Sequence, residues 1–259
     1  MTKITKYVPG TFCWESLYTS DAATAKTFYQ GLFEWKVDYV RTGDAPTYSL
    51  FSIQGKEVCG MSELNDKQKK QQIKPHWGTY VSVANVDEFL KVADVAGGRV
   101  LEPASDSMDA GRSALIQDPT GATISIWEPH KKIGALITDL PGTACWRELE
   151  TPNVDVAGKF YATIFNWEPK PEKFGEMAYI TFKLGKKSVG GMMSTPKEGM
   201  PSNWLTYWTV KDCEKSLNKA DKLGGKILKS ITEIKRVGKF AVLADPQGAV
   251  FAILQPEKK

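Results

Sequence analysis

The chain has 259 residues, 42% of them hydrophobic and 25% charged, with a formal net charge of +4 spread over both halves. That balance suits a folded protein of two domains, each able to bury a core of its own, and excludes a disordered, collagen-like or fibrous chain. No apolar run reaches membrane-spanning length and MTKITKYVPG lacks the apolar centre of a signal peptide, so no membrane association and a cytoplasmic location are expected.

Taken in order, the run TFCWESLY at 11–18 reads as a strand, and Thr19-Ser20-Asp21 supplies helix-capping chemistry. Ala22, Ala25, Phe28, Tyr29, Leu32 and Phe33 then recur at three- and four-residue spacings, which predicts an amphipathic helix with one apolar stripe. Short strands follow at 35–41, 48–54 and 57–63, with Gly43-Asp44 and Gln54-Gly55 as turns. The segment 65–75 is polar and reads as a solvated loop. Its Lys67, Lys69, Lys70 and Lys74 stand among glutamines without interleaved aromatics, so no nucleic-acid partner is expected. A second round begins with a strand at 77–84 and a helix at 86–96, closed by Gly97-Gly98, because glycine takes the left-handed conformation at a helix end without steric cost. Strands at 99–102, 112–117 and 122–127 complete it, the last two joined by Asp118-Pro119-Thr120-Gly121 as a hairpin turn.

The whole pattern then repeats. Pro9 to Trp35 returns at Pro141 to Trp167, a shift of 132 without a gap, and twelve of the 27 positions are identical. Tyr48, Phe51, Gly60 and Met61 recur 131 later, and Trp77, Tyr80, Gly97, Gly98, Asp118, Pro119, Gly121 and Pro129 recur 127 later. A period this long marks a duplicated domain rather than a solenoid. Domains at 1–130 and 131–259 are expected, joined near 128–141, where Pro129, Gly134 and Pro141 break regular structure; proteases should cut there or in 65–75. Cys13 and Cys145 are repeat equivalents on matching strands, which suggests buried small hydrophobes and not nucleophiles.

Paired strand–helix–three-strand modules, the Phe-Tyr pair in the first helix of each half (Phe28-Tyr29, Phe160-Tyr161), the Gly-Gly after the second helix and the Asp-Pro-x-Gly hairpin together resemble the vicinal oxygen chelate superfamily. This comprises glyoxalase I, the bleomycin-resistance proteins and the extradiol dioxygenases. The resemblance spans roughly the full chain and is made twice. It implies an α+β fold of four βαβββ modules, forming two tandem glyoxalase/bleomycin-resistance-like domains with curled mixed sheets. It also implies a cup in each sheet where the family's enzymes hold a divalent metal with His, Glu or Gln.

The ligand positions implied by the resemblance fall at Trp14, near Gly60, at Gly78 and at Ser125 in the first half, and at Trp146, near Gly191, at Leu205 and at Ala252 in the second. None is a ligand of the expected kind, and the chain has two histidines in all, His76 and His130. No metal and no other cofactor is therefore expected. The same strand faces should carry Trp14, Ser16, Tyr80, Ser125 and Trp127 in the first cup, and Trp146, Glu148, Met193, Tyr207 and Leu254 in the second. His76 precedes Gly78 by two residues and could reach the first cup or remain a rim histidine; His130 belongs to the tail of the last strand. Glu15 and Arg147 should point away from the cups, to the surface or an interface.

These residues favour a metal-free protein that encloses a small aromatic or apolar molecule. A metal-dependent lyase, isomerase or oxygenase with atypical ligands such as His76 and a carboxylate stays open, as does an interaction module with filled cups. Four modules in one chain allow an internal pseudo-dimer, so a monomer is expected ahead of a homodimer.

Overall fold

The computed structural model describes residues 2–42, 45–174 and 177–257, so the expected Gly43-Asp44 turn lies outside the described residues. The first half runs β1 (Thr2–Lys3), β2 (Phe12–Thr19), α1 (Ala22–Phe33), β3 (Lys36–Thr42), β4 (Ala45–Ile53), β5 (Lys56–Glu63), α2 (Asp66–Lys70), β6 (His76–Ser82), α3 (Val86–Val95), β7 (Arg99–Ser107), β8 (Gly111–Gln117) and β9 (Thr123–Pro129). After β10 (Ile137–Thr138) the second half repeats the order as β11 (Ala144–Thr151), α4 (Val154–Phe165), β12 (Glu168–Phe174), β13 (Met177–Leu184) and β14 (Lys187–Ser194). It ends with β15 (Asn203–Thr209), α5 (Cys213–Lys222), β16 (Lys226–Ile234), β17 (Gly238–Ala244) and β18 (Val250–Pro256).

Local chemistry accounts for the helix limits. Asp21 accepts from the backbone N–H of Ala23 and Thr24, both at 3.0 Å, which starts α1; Glu34 ends it in the left-handed conformation, its N–H returned to Gln30. Asn85, Asn153 and Asp212 cap α3, α4 and α5 in the same way. Gly97 closes α3 at φ +91°, as its sequence position requires. The segment 65–75 departs from the expected loop: Asn65 and Gln68 form a capping box that nucleates the short, exposed α2.

Each half makes one eight-stranded mixed sheet, in the order β3-β4-β5-β2-β6-β9-β8-β7 and, in the second half, β12-β13-β14-β11-β15-β18-β17-β16. β2 runs parallel to β5 and antiparallel to β6, with Ser16 beside both Gly60 and Gly78. Two modules therefore meet at the centre of each sheet.

The expectation that each half buries its own core is corrected. One apolar cluster joins α1 and Trp35 of the first half to Trp208, Leu217, Ala220 and Phe251 of the second. The other joins Val81, Ile116 and Ile126 of the first half to Phe160, Tyr161, Trp167 and Trp204 of the second. Mirrored hydrogen bonds bind these contacts: Trp35 Nε1 donates to Gly142 O at 3.0 Å and Trp167 Nε1 to Gly10 O at 2.7 Å. At the pseudo-two-fold centre the repeat equivalents Glu15 and Arg147 form a buried ion pair, Arg147 Nε donating to Glu15 Oε1 at 2.7 Å. Thr79 and Thr206, also repeat equivalents, donate to the two oxygens of the same carboxylate. Glu15 and Arg147 are thus interface residues and not surface ones; the sheets meet back to back and the cups face away from each other.

The connection at 128–141 is also firmer than expected. Ala135 N donates to Cys13 O, Leu136 N to Glu57 O and Trp127 Nε1 to Lys132 O, each at 2.8 Å, while β10 pairs with β1. Gly134 lies so close to β2 that a Cβ there would stand 2.3 Å from Cys13 O. A segment held by this many backbone bonds is a poor protease site.

Candidate functional site

In the first half, alternation along β2, β6 and β9 brings Trp14, Ser16 and Tyr18, then His76, Gly78 and Tyr80, then Ser125 and Trp127 to the concave face. Register fixes their neighbours. Trp14 pairs with Tyr80, Tyr18 with His76, and Tyr80 with Ser125. Trp14 Nε1 donates to Tyr48 Oη at 2.9 Å, Ser16 Oγ lies 3.0 Å from the same oxygen, and the Tyr18 and Tyr80 hydroxyls share a hydrogen bond of 2.6 Å. His76 stacks on Tyr18 with ring centroids 5.1 Å apart. Trp14, Tyr18, Tyr48, His76, Tyr80 and Trp127 are all half-buried, whereas Ser16 and Ser125 lie at the floor. Burial pushes the Tyr18 phenol up to about 12 and the Tyr48 and Tyr80 phenols higher, so all three stay neutral. The cup wall is aromatic, uncharged and dotted with hydroxyls.

The second cup uses equivalent positions differently. Trp146 Nε1 donates to Tyr179 Oη at 2.8 Å, as Trp14 does to Tyr48. Tyr207 donates to Glu148 Oε1 at 2.8 Å, and Tyr179 bonds the same carboxylate. Leu205, Tyr207, Phe240 and Ala252 are buried in a cluster with Trp146 and Leu254 packed against it. Desolvation raises the Glu148 carboxyl above its ordinary value, while the two phenol bonds oppose the rise. The floor of this cup is an apolar cluster beside a buried acid. Met193 is half-buried near the end of the inner strand β14 and, with Tyr179, borders an open groove of about 370 Å³ that reaches Val154, Ile180 and Met192.

The predicted site residues therefore do form two groups on the expected concave faces, except that Met193 stands at the rim of the second. Reasoning from sequence missed Tyr18, Tyr48, Tyr179 and Phe240. The signal for two of them was in the repeat: Tyr48 and Tyr179 recur together with Gly60 and Gly191, and a Cβ at those glycines would meet the tyrosine hydroxyl at 2.0 and 2.3 Å. The glycines are there to admit the rings.

A metal does not fit these residues. The first cup offers one imidazole among indoles and phenols, the second one carboxylate already bonded by two phenols, and no group of three His, Cys, Asp or Glu side chains converges among the described residues. Cys13 and Cys145 donate to the Tyr80 and Tyr207 carbonyls, and burial raises both thiols, so neither is a nucleophile at neutral pH. Cys13 is buried as expected and Cys145 half-buried. No helix among the described residues is long and apolar enough to cross a membrane.

Two back-to-back sheets of paired βαβββ modules, each with a curled concave face, define a tandem glyoxalase-like architecture. The chain belongs to the Glyoxalase/Bleomycin resistance protein/Dioxygenase superfamily, whose profile matches residues 11–126. It is 36% identical over 258 residues to "Putative glyoxylase CFP32" of Mycobacterium tuberculosis, covering 99% of this chain and 98% of that one. It is 28% identical over 266 residues to the anthracycline biosynthesis protein DnrV of Streptomyces peucetius, covering 97% and 95%. Among solved structures, the Mn(II)-bound glyoxalase from Novosphingobium aromaticivorans superposes with a TM-score of 0.66 at 13% identity, covering 95% of this chain and 82% of that one. At that identity the likeness shows the fold alone.

Proposed function

We propose that this protein binds a small, flat aromatic or apolar molecule in the cup of its first half, without a metal ion, and acts as a monomer in which the second half supplies the other side of each shared core. The observation that carries this reading is the wall of half-buried rings, Trp14, Tyr18, Tyr48, Tyr80 and Trp127, on one concave face. Apolar concavities with a few placed polar groups are the common form of small-molecule sites, and stacking adds about 0.5–1.5 kcal/mol per ring pair beyond buried area. A relative named for anthracycline biosynthesis is compatible with an aromatic ligand. Calorimetric titration of the purified protein with naphthyl and anthraquinone compounds tests the reading: Trp14→Leu should weaken binding several-fold and Trp146→Leu should leave it unchanged. Metal analysis of the purified protein belongs with it, since one equivalent of divalent metal per half would overturn the metal-free part.

A second reading rests on Glu148. A buried carboxyl with a raised pKa between two phenols suits acid–base chemistry, and a relative named as a glyoxylase is compatible with an enzyme. Turnover of a carbonyl substrate by the native protein and its loss in Glu148→Gln would favour this reading.

A further inference from the structure

In the first cup one ring nitrogen is left over when the indole and phenol groups around it have been paired. Trp14 Nε1 and Ser16 Oγ are both engaged with the Tyr48 hydroxyl, and the Tyr18 and Tyr80 hydroxyls with each other. His76 Nδ1 lies 2.8 Å from the Lys74 carbonyl oxygen. A carbonyl can only accept, so Nδ1 carries the proton and the neutral ring keeps its lone pair on Nε2. Among the described residues no hydrogen bond engages Nε2. The ring lies nearly flat on Tyr18, 19° between planes, which together with the Nδ1 bond fixes the direction of Nε2. Strand alternation puts His76 on the same face as Gly78 and Tyr80.

Resting on the proposed binding in this cup, we infer that His76 Nε2 is its specificity-determining acceptor, selecting flat aromatic ligands that carry an O–H or N–H donor at the ring edge over isosteres that cannot donate. A site built to receive a donor rejects the analogue lacking it, because the acceptor is then desolvated and unpaired. The titratable groups facing the imidazole are the Tyr18 phenol on β2, the Tyr80 phenol bonded to it from β6, and the exposed Glu102 carboxylate on β7. Both phenols stay neutral, and burial holds the imidazole below its ordinary 6.5. The acceptor is therefore present at neutral pH and disappears as pH falls through the lowered value, when Nε2 takes up a proton.

Calorimetric titration of the full chain with 2-naphthol and with 2-methoxynaphthalene, from about pH 7.5 down to about pH 4.5, tests this in the native protein, His76→Phe and His76→Gln. The expected preference for the naphthol is about fivefold greater in the native protein at neutral pH than in His76→Phe, which keeps a ring against Tyr18 but has no acceptor. The native preference should shrink in acid. His76→Gln should retain part of it through the amide oxygen, with no pH dependence. A preference that persists undiminished in His76→Phe overturns the inference, as does equal binding of the two compounds by the native protein while the cup reading stands. Absence of binding by either compound overturns both.

Discussion

The Tyr29 hydroxyl in the first half donates to the Asp245 carboxylate in the second at 3.0 Å, and Tyr161 repeats the bond to Asp118 at 2.9 Å. Each phenol oxygen also accepts from an indole, Trp77 for Tyr29 and Trp204 for Tyr161, both at 2.9 Å. Two conspicuous motifs of the repeat, the Phe-Tyr pair and the Asp-Pro-x-Gly hairpin, are thus one feature: they join the halves. Replacing Tyr29 or Tyr161 by Phe leaves a buried indole N–H and a buried carboxylate each short of a partner, so each change should cost about 2 kcal/mol in urea unfolding. The two bonds belong to different clusters, so the costs should add in the double variant.

Replacing Arg147 by Met should cost more, about 3–5 kcal/mol, because the fully buried Glu15 carboxyl then loses the cation that offsets its desolvation and is left with two threonine hydroxyls alone. Adding Glu15→Gln to Arg147→Met should restore part of that stability, and urea melts of the four proteins in the cycle measure the coupling. A coupling near zero would show that the pair contributes nothing to holding the halves together.

Glu148 gives a pH prediction whose sign follows from its raised pKa. Between the ordinary carboxyl value and the raised one the folded state holds a proton that the unfolded state has released. Stability from this group is therefore complete below the ordinary value and declines as pH rises through the raised one, at no more than about 1.4 kcal/mol per pH unit. Glu148→Gln lacks that proton exchange. The stability of the native protein relative to this variant should fall as pH is raised from about 4.5 towards neutrality, as read from paired melts; an unchanged difference would contradict the assigned shift.

Trypsin should cut first after Lys67, Lys69 or Lys70, which are exposed on the short α2, and should spare Lys131 and Lys132. Those two lie in the hydrogen-bonded connection, with Lys131 N bonded to Asp109 O and Lys132 N to Ala110 O. Mass spectrometry of early fragments identifies the site.

Much of the fold was legible because the repeat tests every local reading twice. The α1 stripe, the Gly97 helix end and the 118–121 hairpin each rest on local chemistry, and each is found as read. The sharing of cores was not legible, since periodicity says which face of α1 is apolar but not that it covers Phe251 of the other half. Trp14 and Trp146 could be assigned to the cups from the resemblance to the superfamily, which puts a ligand position at each. The difference between the cups could not, because it depends on Phe240, Leu205 and Tyr207 packing beside Glu148 from distant strands. Side-chain hydroxyls such as those of Tyr18 and Tyr48 leave no periodic trace, and only the glycines opposite Tyr48 and Tyr179 betrayed the space reserved for rings.

The most direct test of the central claim uses the eight tryptophans as reporters, by following indole N–H signals in NMR spectra of nitrogen-labelled protein while a naphthol is added. Binding in the first cup predicts saturable shifts of the Trp14 and Trp127 signals, with Trp146 and the fully buried Trp35, Trp167 and Trp208 unmoved. Shifts confined to Trp146, or no indole moving at a concentration where calorimetry detects binding, would contradict it.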